Sequence, residues 1–205
     1  MNDLFIVGLT GSTGAGKSEV ARVLAECGCY CIDADALSRQ AVLPGSRCLN
    51  ELVQQFSPAI LSEDGSLNRK ALAAAAFSSP EQTKQLNAIV HPVVLEMIDD
   101  ELKQAAQQGY AFAVIDAPLL FQTGLQRLCH RTVAVLTPAD VRLQRICFRD
   151  GLTKEQAVSR MKAQPEDAFY TERASVIIHN NESVEELADK AKNLFTQMEE
   201  WRCEE

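Results

Sequence analysis

Hydrophobic positions along this chain gather into five short, nearly continuous runs at 5–9, 29–32, 111–115, 132–136 and 175–179. An unbroken apolar run of that length predicts a strand covered on both faces, as in parallel sheets, because a strand with one wet face would alternate. Between the runs, apolar residues in 17–25, 139–149 and 184–198 recur at three- and four-residue spacing, which predicts helices with one buried stripe. Strands and helices alternating in this way predict an α/β fold built on a five-stranded parallel sheet with right-handed crossovers.

One interval breaks the rhythm. Residues 34–108 read almost wholly helical apart from the SEDGS turn around Asp64-Gly65. The string ALAAAAF and the stretch 81–107 are strong helix formers, and Pro92 is expected to kink or divide the latter. The interval is too long for a single crossover helix. It is expected to be a helical insertion beside the sheet, covering a ligand. A single domain would then have its core at about 1–33, 109–138 and 174–205, the insertion at 34–108 and a helical lid at 139–173.

Composition narrows the function. A chain of 205 residues with 46% hydrophobic content can bury a sizeable core. Its net charge of −8, from 20 basic and 28 acidic residues, repels phosphate polymers and argues against a nucleic-acid partner. The start MNDLFIVGL has no basic segment ahead of its short apolar run, unlike a secretory signal. No stretch approaches the roughly 18–20 apolar residues of a membrane span. A cytoplasmic protein, monomeric or a weak homo-oligomer, is the expectation. Seven cysteines lack framework spacing and are expected as reduced thiols. Cys27, Cys29 and Cys31 alternate in CGCYC, but no histidine or second cysteine pair lies near them to complete a metal site. Partly buried thiols flanking a strand are the expected reading.

The chemistry begins directly after the first apolar run. Gly11-Ser12-Thr13-Gly14-Ala15-Gly16-Lys17-Ser18 fits G-x-x-x-x-G-K-[ST] between a predicted strand and a predicted helix. The glycines let the backbone approach a ligand without a Cβ clash. Successive N–H groups then converge at a helix N-terminus, whose partial positive charge favours phosphate. Lys17 is placed to reach the β- and γ-phosphates, and the Ser18 hydroxyl to ligate Mg²⁺. The anion is therefore a nucleoside triphosphate, with ATP the expected donor. A regulatory GTPase would usually carry N-K-x-D, which does not occur, and a motor or transporter ATPase would need far more chain. A small kinase acting on a metabolite fits. A nucleotide-dependent switch or an inactive binding module is the reading from another class.

Carboxylates follow two further strands. Asp33 ends the second apolar run, where a carboxylate can accept the proton of an attacking hydroxyl, and Asp35 is the candidate helix cap beside it. Asp116 ends the third run in the Walker-B position, near a metal and its waters. Between residues 127 and 162 stand eight Lys/Arg against three acids. Arg142, Arg145 and Arg149 are spaced to share one helix face, as cations of a lid closing over a triphosphate. Arg145 and Arg149 are the expected participants.

GLTGSTGAGKS, IDADALSRQ, LNRKAL, LNAIVHPVV, VIDAPLLF, RLQRICFRDGLTKEQAVSRMKAQ and VIIHNNESVEEL occur in order over nearly the whole chain. Together they resemble the dephospho-coenzyme A kinase family. The resemblance implies a P-loop kinase-like three-layer fold and transfer of the ATP γ-phosphoryl group to the ribose 3′-hydroxyl of dephospho-CoA, the last step of coenzyme A synthesis. It implies that Asp33 orients and deprotonates that hydroxyl, that Lys17 and Arg145 stabilise the migrating group, and that Arg149 supports them. It assigns Asp35, Arg39, Asn68, Arg69, His91, Pro118 and Leu119 to the acceptor side and Asn180 to the adenine of ATP. For His91, plain helix packing before Pro92 is the alternative. The chain departs from the family pattern at Gln122, where glutamate is usual, and at Arg142, where glutamine is usual. It also lacks the Ala-Asp pair before the last strand, at Arg173-Ala174-Ser175.

Overall fold

The computed structural model of the chain describes residues 4–204, so the outermost residues of the expected core segments, 1–3 and 205, and with them the first residues of the MNDLFIVGL start, lie outside it. Two compact units form, one from the chain up to Ile32 and from Gln104 onward, the other from Asp33–Lys103.

The first unit is built on a sheet. Strand β1 (Phe5–Gly11) is buried along its length except at Ile6, which explains why its sequence shows no alternation. It leads through the glycine-rich loop into helix α1 (Lys17–Glu26) and strand β2 (Tyr30–Asp33). Strands β3 (Phe112–Asp116), β4 (Arg131–Leu136) and β5 (Val176–His179) complete the order β2-β3-β1-β4-β5. The pairings of β1 with β3, β1 with β4 and β4 with β5 are parallel. All five strands coincide with the five apolar runs to within two residues at each end. The register sets Leu9 opposite Asp116 and Gly11 opposite Val135, so the first loop glycine leaves the sheet just beyond the end of β3.

Phe5, Val7 and Leu9 of β1 bury against Val20, Val23 and Leu24 of α1 and against Leu187, Ala191, Leu194 and Met198 of the long C-terminal helix (Val184–Glu204). Those last four positions repeat every three or four residues, the stripe the sequence predicted. Ala134 and Leu136 of β4 face a second cluster that includes Tyr170.

The second unit is helical. Helices α2 (Ala34–Ala41), α3 (Arg47–Phe56) and α4 (Arg69–Ala76) precede α5 (Pro80–Gln107), whose last turn belongs to the first unit. Its core comprises Val42, Cys48, Leu52, Ile60, Leu72 and Ala76, flanked by Leu86, Ile89, Val90 and Val93 of α5. The SEDGS turn is present, closed by a Ser62 N–H to Ser66 carbonyl bond of 2.8 Å. Pro92 does not divide its helix: α5 runs unbroken through it. An interior proline costs a helix about 3 kcal/mol, and here apolar residues on both sides of it are seated in the core.

The chain continues after β4 as α6 (Ala139–Asp150), α7 (Lys154–Lys162), α8 (Asp167–Thr171) and, after β5, α9 (Val184–Glu204). No described helix is long and apolar enough to cross a membrane. Leu24 is fully buried at the centre of the sheet-facing core, so Leu24→Ala is expected to lower stability by about 2–5 kcal/mol. Equilibrium denaturant unfolding checks this, and a loss below about 1 kcal/mol would mean the site collapses around the smaller side chain.

Candidate active site

The loop between β1 and α1 owes its shape to glycines in conformations that other residues resist. Gly11 has φ +146, and a Cβ there would stand 2.3 Å from the Val135 carbonyl oxygen. Gly16, the N-cap of α1, is left-handed at φ 97, and a Cβ there would stand 2.3 Å from Asn180 Nδ2. Among the described residues the backbone N–H groups of Gly14, Gly16, Lys17 and Ser18 have no acceptor within the protein. These open donors crown the N-terminus of α1, the arrangement that binds phosphate.

The loop is held from behind. Asn180 Nδ2 donates to the Ala15 carbonyl at 2.8 Å, and Thr137 Oγ1 lies 2.9 Å from the same oxygen and 3.0 Å from the Asn180 carbonyl. Both residues are buried, directly beyond β4 and β5. Sequence placed Asn180 on the adenine side; in the structure one of its side-chain N–H groups goes to the loop. Thr137 was missed, and its signal was only a hydroxyl ending an apolar strand before Pro138.

Lys17 Nζ forms an ion pair with Asp116 Oδ1, with both side chains largely shielded from solvent. Ser18 is exposed one residue further on. One hydroxyl and one carboxylate fit Mg²⁺, which keeps several waters and substrate phosphate oxygens and needs few protein ligands. Among the described residues no cluster of three or more His, Cys, Asp or Glu could hold a metal by itself.

The three arginines expected of a lid divide. Arg145 Nη1 lies 3.4 Å from the Gly14 carbonyl, against the loop. Arg149 is exposed and grips Asp150 through Nε and Nη2 at 2.7 and 2.9 Å, while Arg160 takes the same carboxylate at 2.7 Å. Arg149 first, and Arg160 with it, hold the Asp150 carboxyl below its usual range. Arg142 does not share an open face with them. It is buried, 3.7 Å from Asp167, because the first turns of α6 lie against Gly14 and α8.

In the helical unit Asp33, not Asp35, caps α2: its Oδ1 accepts the Ala36 N–H at 2.8 Å. Its Oδ2 is 3.6 Å from Arg39, too far for a hydrogen bond. Asp35 lies in the first helical turn. Asn68 caps α4 through the Ala71 N–H at 3.0 Å, with Arg69 following it at the helix start. His91 is half-buried inside α5, next to residues packed on that unit's core. Pro118 accepts the Thr10 hydroxyl at its carbonyl, 3.2 Å away, and Leu119 is exposed.

All seven cysteines are free. Burial, with Cys31 and Cys27 nearby, pushes the Cys29 thiol up to about 12, and burial pushes Cys129 to about 12. Cys31 rises to about 11, from burial first and from Asp116 second; its residue reaches solvent, but Sγ turns back to the Ala21 carbonyl at 3.4 Å.

The sequence matches the family model described as dephospho-CoA kinase over residues 5–186. It is 40% identical over 190 residues to a dephospho-CoA kinase of Corynebacterium diphtheriae, covering 93% of this chain and 95% of the relative. Among solved structures, a Thermus thermophilus protein superposes with a TM-score of 0.83 at 34% identity, over 95% of this chain and 97% of that one. The dephospho-CoA kinase of Campylobacter jejuni, at 24% identity and a TM-score of 0.69, shares the fold over 94% of this chain and 96% of its own.

Gly16→Ala is expected to weaken ATP binding tenfold or more, since the added methyl meets Asn180 and strains the left-handed cap. Calorimetric titration with ATP measures it, and unchanged affinity would show that the cradle tolerates a Cβ.

Proposed function

The chain belongs to the dephospho-CoA kinase family, ATP-dependent kinases of coenzyme A synthesis, and from that premise we propose how its own residues carry the reaction. ATP lies with its phosphates over the open N–H groups of Gly14, Gly16, Lys17 and Ser18, with Ser12, Thr13 and Ala15 completing the loop. That row of unpaired donors beside a shielded lysine is the observation that carries the reading. Lys17 exchanges part of its contact with Asp116 for the β- and γ-phosphates. Ser18 and Asp116 are the residues that would hold Mg²⁺, which supplies charge neutralisation on the phosphates when bound.

The acceptor is the ribose 3′-hydroxyl of dephospho-CoA. Its oxygen forms a bond to the γ-phosphorus as the bond from that phosphorus to the β–γ bridging oxygen breaks. ADP leaves, and the hydroxyl proton passes to Asp33. The Asp33 carboxylate suits that role because Oδ1 is fixed by the helix it caps while Oδ2 is only loosely held by Arg39. Arg145, already against the loop, stabilises the charge on the migrating group, and Arg149 supports it once released from Asp150. Asp35, Arg39, Asn68, Arg69, His91, Pro118 and Leu119 form the acceptor side, and Asn180 lies nearest the adenine. The helical stretch 34–108 acts as the acceptor domain and 139–173 as the lid, in a cytoplasmic enzyme.

Purified protein given ATP and Mg²⁺ is expected to convert dephospho-CoA to CoA, and to leave adenosine, nucleoside monophosphates and shikimate unphosphorylated. Product analysis by mass spectrometry decides it, and phosphorylation of one of the others instead of dephospho-CoA would overturn the assignment. Asp33→Asn is expected to lower kcat by about 10²–10⁴-fold with little loss of stability, because asparagine caps a helix as well as aspartate. Steady-state kinetics with a thermal unfolding control separate the two roles, and unchanged kcat would remove Asp33 from the chemistry.

A further inference from the structure

The cradle's donors begin at Gly14 for a structural reason. The N–H one residue earlier, on Thr13, is already occupied: it donates to Gln164 Oε1 at 2.9 Å. Gln164 follows α7, in the RMKAQ segment that no catalytic role absorbs. Its partner lies 151 residues away in the chain, so this bond joins the lid directly to the crown of the phosphate loop.

The same segment is pinned nearby. Asp167, at the start of α8, pairs with buried Arg142 of α6 at 3.7 Å. The Arg142 backbone in turn packs so closely on the loop that a Cβ at Gly14 would stand 3.2 Å from its carbonyl oxygen. The Gln164 side chain is thus delivered by a braced turn rather than by a loose linker. Its carbonyl takes up the Thr13 N–H, as the Ser12 carbonyl takes up that of Ala15, and so keeps it from competing with its neighbours for an anion. A buried or half-buried backbone donor left without an acceptor reorients or draws in water, and either would change where the next four donors point.

We infer that Gln164 is a positioning residue for ATP: by accepting the Thr13 N–H it fixes the loop crown to the lid hairpin and so aims the N–H groups of Gly14, Gly16, Lys17 and Ser18 at the phosphates. It touches no reacting atom. The inference rests on the reading of the loop as an ATP cradle and not on the identity of the acceptor.

Two variants test it. Gln164→Ala removes the acceptor, and Gln164→Glu keeps an accepting oxygen at the same reach. In Q164A the Thr13 amide is expected to lose its hydrogen-exchange protection, read residue by residue by NMR, and in Q164E to retain it. The ATP dissociation constant of Q164A is expected to rise 3- to 10-fold, the size of one neutral hydrogen bond. Binding of dephospho-CoA should stay within twofold and the thermal midpoint should hold. Unchanged Thr13 protection in Q164A, or ATP affinity within twofold of the parent, overturns the inference. So does an equal loss for both substrates with a lowered midpoint, which would mark a general structural role. Exchange and ATP titration need no acceptor, so a parent protein that forms no CoA would sink the functional reading and leave this one to its own data.

Discussion

The carbonyl of Ala15 is the point on which this structure turns. A loop whose N–H groups are to face an anion must send its carbonyls the other way, and each buried carbonyl then needs a donor. The Asn180 amide and the Thr137 hydroxyl supply them to Ala15 from the ends of two adjacent parallel strands. The sheet therefore acts as the loop's anvil, and its register matters to the site as much as the loop's own glycines. Moving β5 by one residue would carry Asn180 away from Ala15 and leave the carbonyl to the Thr137 hydroxyl alone.

Much of this could be read from the residues, for identifiable reasons. Strands buried on both faces write themselves as unbroken apolar runs, and β1, β3 and β4 did so; the edge strands β2 and β5 are only partly covered, yet their apolar residues also fell in short runs. The loop was equally plain, because few sequences have reason to place three glycines and Lys-Ser after such a run. What stayed hidden depended on contacts between distant positions. Thr137 meets Ala15 across 122 residues, and Gln164 meets Thr13 across 151, which no local pattern encodes. Two readings changed for local reasons. Asp33 caps α2 because β2 ends there and the helix begins immediately, so Asp35 falls inside the first turn. Arg142 turned inward because its helix starts pressed against the loop, a fact that spacing alone does not carry.

The charge pattern acquires a clearer meaning as well. An acidic chain that handles polyanionic substrates concentrates its cations, and here several of them are paired with carboxylates. Asp116 engages Lys17, and Asp150 engages both Arg149 and Arg160. Each pairing keeps a cation oriented while the phosphates are elsewhere, at the cost of a competing partner when they arrive. Exposed pairs of the Asp150 kind are worth little in stability, so yielding them to a triphosphate is inexpensive.

The thiols bear on the chemistry of the surroundings. Coenzyme A ends in a thiol, and once oxidised to its disulfide it can exchange with the thiolates of a protein that makes it. Exchange proceeds through thiolate, and at neutral pH a group near 12 is ionised in only about one molecule in a hundred thousand. Cys29 and Cys129 are such groups, which makes them inert companions to a reactive product rather than traps for it.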